Sequence, residues 1–366
     1  MNSRERVLHA FGKLKGLPDR VPVQFDLCRQ HSEFFGKELG IPVHITNNLY
    51  EDVTYRISAN ELRTAMGSDV VITGASVADN HKIEMDEKGV WKNEYQMGMR
   101  QGDLYVEVID FPLAYAETKS DIDNFEFPDP NAPGRYNDAE NLIKKYHDNY
   151  LVFGDIEVTI FSLAQQMVGM EKLLVDMMLE AEYVEPLFDA CTEFQTKVGL
   201  NLIDRGVDAI WAGDDFGTQN SLIMAPEVFR SQLKPFYKRM NDRFKAAKKD
   251  LISILHCDGA VSELLIDFKE MGYDVFNPVQ PGVPGHLPQE IKDNFGHLFS
   301  FWGAIDQQEM MPRGSDNELE RDIIEKIKIL GKNGGFMISP AHIIQSDVSP
   351  ERVKFFIELC KKHGKY

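Results

Sequence analysis

A chain of 366 residues with 58 acidic against 40 basic side chains, a formal charge of −18, is long enough to bury a sizeable core. That charge argues against binding nucleic-acid phosphates or an anionic membrane surface, so neither nucleic acid nor membrane is an expected partner. No apolar run reaches transmembrane length, and MNSRERVLHAFGKLKG at the N-terminus alternates charged with apolar residues instead of forming a secretion signal, which makes a cytoplasmic location the expectation.

Eight short apolar runs follow one another along the chain: RVPVQFD (20–26), DVVITG (69–74), YLVFGDIEVTIF (150–161), VDAIWAGDD (207–215), LISILHCD (251–258), DVFNPVQP (274–281), LFSFWGAID (298–306) and GFMISPAH (335–342). They are rich in Val, Ile, Phe and Leu and mostly lack alternation, as expected of parallel strands covered on both faces. Between them, Val184–Ile203, Val228–Ala247, Ser262–Met271 and Leu319–Leu330 carry apolar residues at helical spacing. Gly206, Gly272 and Gly331 follow helices, and Pro226 and Pro350 sit near helix starts. Eight βα units most simply close into a (β/α)8 TIM barrel, one domain over residues 1–366, with a doubly wound open sheet as the alternative.

One stretch breaks the rhythm. HKIEMD, GVWKNEYQM and LYVEVIDF, separated by EKG and RQGD, read as antiparallel strands inserted after the second barrel strand, over 81–111, in a position to cover the barrel mouth. FEFPDPNAPGRY (125–136) reads as a Pro-rich connection within the domain. The four cysteines, Cys28, Cys191, Cys257 and Cys360, include no CxxC pair and are expected to be free thiols.

In an α/β barrel the strand C-termini and the loops after them form the catalytic face. The polar residues there are Asp26, Arg29, Thr73, Asp155, Glu157, Asp214, Asp215, His256, Cys257, Asp258, Asn277, Gln280, Trp302, Asp306 and His342. His256 and Asp258 are two apart and share one side of a continuing strand, leaving Cys257 on the other, where it is a ligand only if the strand stops at His256. With His342 from the last strand they offer three N/O ligands and an open position, the description of a catalytic Zn2+ site; the competing reading is a hydrogen-bonding pocket for an organic molecule. In WAGDDFGTQ, one of Asp214 and Asp215 is expected to act on substrate, with Asp214 favoured, and the other to cap a helix or be solvated. Arg29 either clamps a substrate carboxylate or makes a surface ion pair. No GxGxxG or GxxxxGK[ST] is present, so nucleotide-phosphate binding has no support.

The segments RERVLHAFGKLKGLPDRVPV (4–23), GDDFGTQNSLIMAPEVFRSQLKPFYKRM (213–240), LHCDGAVSELLIDFKEMGYDVFNPVQP (255–281), FWGAIDQQEMMPRG (301–314) and GGFMISPAHIIQSDVSPERV (334–353) together resemble the uroporphyrinogen decarboxylase superfamily, nearly end to end. The resemblance implies a (β/α)8 barrel. Its decarboxylases use paired arginines after the first strand and an aspartate after the second; QFDLCRQHSEFF offers only Arg29, and Thr73-Gly74-Ala75 stands where the aspartate would be. The other branch is similar to methylcobamide:coenzyme M methyltransferases and demethylase components, which hold zinc by His-x-Cys-Gly at the fifth strand and a cysteine near the eighth. Here His256-Cys257-Asp258-Gly259 places Asp258 at that cysteine, and His342 matches the second. The resemblance thus implies zinc on His256, Asp258 and His342, a corrinoid (methylcobalamin) carried by a partner protein, and catalytic roles for His256, His342 and Asp214. Asp26, Arg29, Asp215, Asn277, Gln280, Trp302 and Asp306 are the expected substrate contacts. The alternative activity is a porphyrinogen carboxy-lyase. Decarboxylases of the superfamily associate as dimers, which leaves a homodimer open.

Overall fold

The computed structural model describes residues 1–44, 55–102 and 106–366. Ten strands are present among them: β1 (Val70–Gly74), β2 (Val90–Lys92), β3 (Gly98–Gln101), β4 (Val106–Asp110), β5 (Leu151–Asp155), β6 (Ala209–Gly213), β7 (Ile252–His256), β8 (Val275–Val279), β9 (Ser300–Ile305) and β10 (Phe336–Pro340). Seven of the eight apolar runs form one curled parallel sheet in the order β1-β5-β6-β7-β8-β9-β10.

The first run departs from expectation. Residues 20–28 are not a regular strand; they pair with the β10 side through isolated bridges at Val23–Ile338 and Leu27–Ile344. The same segment accepts from the Asp69 amide, just before β1, through the Val23 carbonyl. Both edges of the sheet therefore meet this segment, which makes the fold barrel-like with seven laddered strands. Pro22 supplies the reason: it accepts from Ile338 N but has no N–H to return, so a continuous ladder cannot form there.

Side chains alternate between two cores. Val70 and Ile72, Leu151 and Phe153, Ala209 and Trp211, Ile252 and Ile254, Val275, Trp302 and Met337 fill the inside of the curled sheet. Val71, Val152, Ile210, Ala212, Leu255 and Phe276 face outward into the larger core under the helices. This period of two fixes which residues at the strand ends reach the interior.

The helices follow the expected punctuation with one break. Val184–Arg205 stops at Gly206, in the left-handed region (φ 106°), where only glycine is at ease. The stretch expected as one helix over 228–247 is two, Pro226–Gln232 and Lys234–Ala247, because Pro235 withholds an N–H and forces the chain to restart. No described helix is long and apolar enough to cross a membrane.

The inserted sheet β2-β3-β4 is antiparallel, as expected, but its strands are shifted. HKIEMD forms no strand. Of GVWKNEYQM only Val90–Lys92 is strand; the chain turns at Asn93–Gln96, where the Asn93 carboxamide accepts from the amides of Tyr95 and Met97 and Gln96 takes a positive φ, and β3 begins beyond it and runs into the expected RQGD turn. Asp103 of the RQGD turn and the first two residues of LYVEVIDF lie outside the described residues. The sheet packs on the outside: Tyr95 meets Phe194 edge-on, and Glu94 pairs with the buried Arg135. None of its described residues lines the pocket at the strand ends, so they do not form the cover that was expected.

Candidate metal centre at the strand ends

His256 ends β7 in phase with Ile252 and Ile254, so its ring enters the mouth of the curled sheet. Cys257 faces the opposite way into the outer core, where its Sγ accepts from Phe216 N at 3.3 Å. Burial and the nearby Asp215 carboxylate push the Cys257 thiol well above its ordinary range, which keeps it protonated and a poor ligand. Asp258 returns to the His256 side. Its backbone N–H donates to Asp215, and Gly259 allows the loops after β6 and β7 to touch: a Cβ at Gly259 would lie 2.5 Å from the Gly217 carbonyl carbon. His342 arrives two residues past β10.

These three side chains bring one ligand atom each within 4.8 Å of one another, and His256 Nε2 lies 3.7 Å from Asp258 Oδ2. A divalent ion with ligands at about 2.0–2.2 Å needs those atoms roughly 3.4 Å apart, a rotamer adjustment away. The other ring nitrogen is already committed, since His256 Nδ1 meets Asn277 Oδ1 at 2.9 Å. That contact selects the tautomer with a free Nε2 lone pair, the arrangement that orients ligating histidines.

The electrostatics favour a cation. Burial alone would lower the His256 pKa, but Glu157, Asp258 and Asp215 outweigh it and raise it to about 10. Burial would raise Asp258, and His256 with His342 reverse the direction. In the metal-free protein the imidazolium proton thus occupies the field that a divalent ion would fill. Glu157 adds a buried Oε1 with no hydrogen-bond partner, 3.6 Å from His256 Nδ1.

Trp211 and Trp302 pack at 4.4 Å and line the pocket with Gln24, Asp26, Arg56 and His342. Its free volume is about 20 Å³, space for about one water. Arg56, which was not anticipated, lies over the Trp211 ring and pairs with Asp155, Glu157 and Asp26. Arg63 is wholly buried against Asp26 and Asn60. Their signal in YRISANELR was faint, because that segment is neither a strand nor a strand end.

The remaining expected residues divide clearly. Asp26, Asn277 and Trp302 line the pocket, and Asp215 stands beside it on the Asp258 amide. Gln280 is buried nearby, accepting from Gly259 N at 2.7 Å. Asp214 is elsewhere: it is buried and accepts from Ile160, Phe161 and Ser162 N–H and from Tyr237, capping the helix Phe161–Val168. Arg29 lies on the surface paired with Glu33. Asp306 accepts from the Gln308 and Glu309 amides and stays out of the pocket. Thr73 points with Val71 to the outer side.

A family model described as uroporphyrinogen decarboxylase (URO-D) matches residues 107–363. Among solved structures, a methyltransferase from Methanosarcina mazei is similar in fold at TM-score 0.67 and 16% identity, over 99% of each chain. A B12-independent methionine synthase from Shewanella sp. W3-18-1 aligns at TM-score 0.43 and 10% identity, over 94% of this chain and 96% of that one. No curated protein sequence matches.

Proposed function

Since the chain belongs to the uroporphyrinogen decarboxylase family, we propose that it is a metal-assisted methyltransferase that moves a methyl group between a small O- or N-methylated compound and a corrinoid carried by a partner protein. The convergence of His256, Asp258 and His342 at the sheet mouth carries this reading. The fold shared with the Methanosarcina mazei methyltransferase supports it.

The donor set fits zinc: two imidazoles and a carboxylate, one imidazole oriented by Asn277, with acidic neighbours that favour positive charge. Zinc bound there supplies Lewis acidity to the heteroatom that carries the methyl group. A His/Asp/His set is harder than one built on thiolates, which suits oxygen or nitrogen over sulfur. Trp211 and Trp302 form the rigid wall against the methyl group, while Asp215 and Gln280 hold the loop that carries Asp258.

The carboxy-lyase alternative is disfavoured. Arg29 is on the surface, and the pocket guanidinium, Arg56, is already neutralised by three carboxylates, so neither is placed to clamp porphyrinogen acid groups.

Mixing the purified protein with cob(I)alamin and a panel of methoxylated and methylated compounds should give the methylcobalamin spectrum with at least one of them, about 10²–10⁴-fold slower in His256→Ala. Conversion of uroporphyrinogen III to coproporphyrinogen, with no methylcobalamin from any compound, would overturn the proposal.

A further inference from the structure

We propose that the opposite end of the curled sheet, where the strands begin, carries a second site that binds a multiply charged phosphate-bearing anion. The cleft there holds about 790 Å³, within the range of small-molecule sites, and is bounded by residues that precede β8, β9 and β10. Its walls carry Lys13, Lys269, Lys292 and Lys332 and two histidines, and Asp274 is the one acidic side chain among the described residues that line it. In a chain of net charge −18 this is a local excess of the opposite sign.

The lysines are not there to neutralise acids. Lys13, Lys245 and Lys269 all lie within 3.9 Å of the single Asp274 carboxylate, three ammonium groups to one charge. Asp274 Oδ2 also accepts from Ser253 N, while Lys13 and Lys269, at 3.8 and 3.9 Å, stand too far from the carboxylate to hydrogen-bond to it. Lys292 has no carboxylate partner among the described residues; two of its N–H groups go to the carbonyls of Leu330 and Gly334, which leaves a third donor. Lys245, which does not line the cleft, is held by Asp274 and by the Leu251 carbonyl, so the one carboxylate is taken up mainly by a lysine outside the cleft. Ammonium groups act as compact point charges, and several of them around one cleft can meet the oxygens of a multiply charged phosphate from different sides.

The test uses inorganic pyrophosphate, with orthophosphate and citrate as comparisons, on the full chain. Pyrophosphate should raise Tm saturably, by about 3 °C at a hundredfold excess over Kd, above an NaCl control of equal ionic strength. Its ³¹P resonance should broaden on binding. The double variant Lys13→Gln/Lys269→Gln, whose ion pairs are long and partly exposed, should bind at least about tenfold more weakly. His256→Ala should bind as the wild type does, so this site and the proposed reaction stand or fall separately. No saturable shift beyond the salt control, or an unchanged Kd in the double variant, would overturn the proposal. Citrate binding as tightly as pyrophosphate would overturn its phosphate preference.

Discussion

Asn277 shows how much a single side chain decides at the mouth of the sheet. Its Oδ1 takes the Nδ1 proton of His256, and its backbone carbonyl accepts from Cys257 N at 2.7 Å. It therefore fixes the ring that coordinates and the turn that directs Cys257 away. Asn277→Ala should leave the fold intact and weaken zinc about 10–100-fold, measured by competition with a chromophoric chelator; unchanged affinity would show that His256 needs no such partner. Alternation alone separated His256 and Asp258 from Cys257 on the sequence. Carried one strand earlier it would also have separated Asp215 from Asp214, since Ala209, Trp211 and Gly213 are in phase with Asp215. Asp214 is out of phase with those three, and it caps a helix instead of entering the mouth. Arg56 and Arg63 were illegible for a different reason: their partners Asp26, Asp155 and Glu157 come from distant segments that only the folded sheet assembles.

At the level of elements, the seven laddered strands were readable because both faces are buried and the runs are continuously apolar. Residues 20–28 had the same composition, but Pro22 turned a strand into a set of bridges. The inserted sheet was legible in kind and not in register, because its short strands are set by local turns such as the one closed by Asn93. The loop after β8 carries His286, buried with both ring nitrogens unpartnered, and burial lowers its pKa to about 4. A histidine near 6.5 in the unfolded chain binds a proton first as pH falls, so the stability present above about 6.5 is lost toward 4. Between pH 7 and 4.5, chemical unfolding of the wild type should lose about 2 kcal/mol more than that of His286→Leu. Parallel pH profiles for the two proteins would contradict this assignment.

On the scale of the whole molecule, the two ends of the sheet differ in charge and in space. The end of the strands gathers Asp26, Asp155, Glu157, Asp215 and Asp258 around His256, His342 and Arg56 at a narrow pocket, and the beginning gathers lysines in a wide cleft. The acidic end is the one that the β/α architecture uses for chemistry. Its carboxylates favour His256 as an imidazolium, and a bound metal ion would take the place of that proton. The proposed chemistry therefore depends on that replacement. Elemental analysis of the protein purified without chelator should find about one zinc per chain, and His256→Ala and His342→Ala, both folded by circular dichroism, should each lose it. Wild-type protein without bound metal, or zinc retained in both variants, would contradict it.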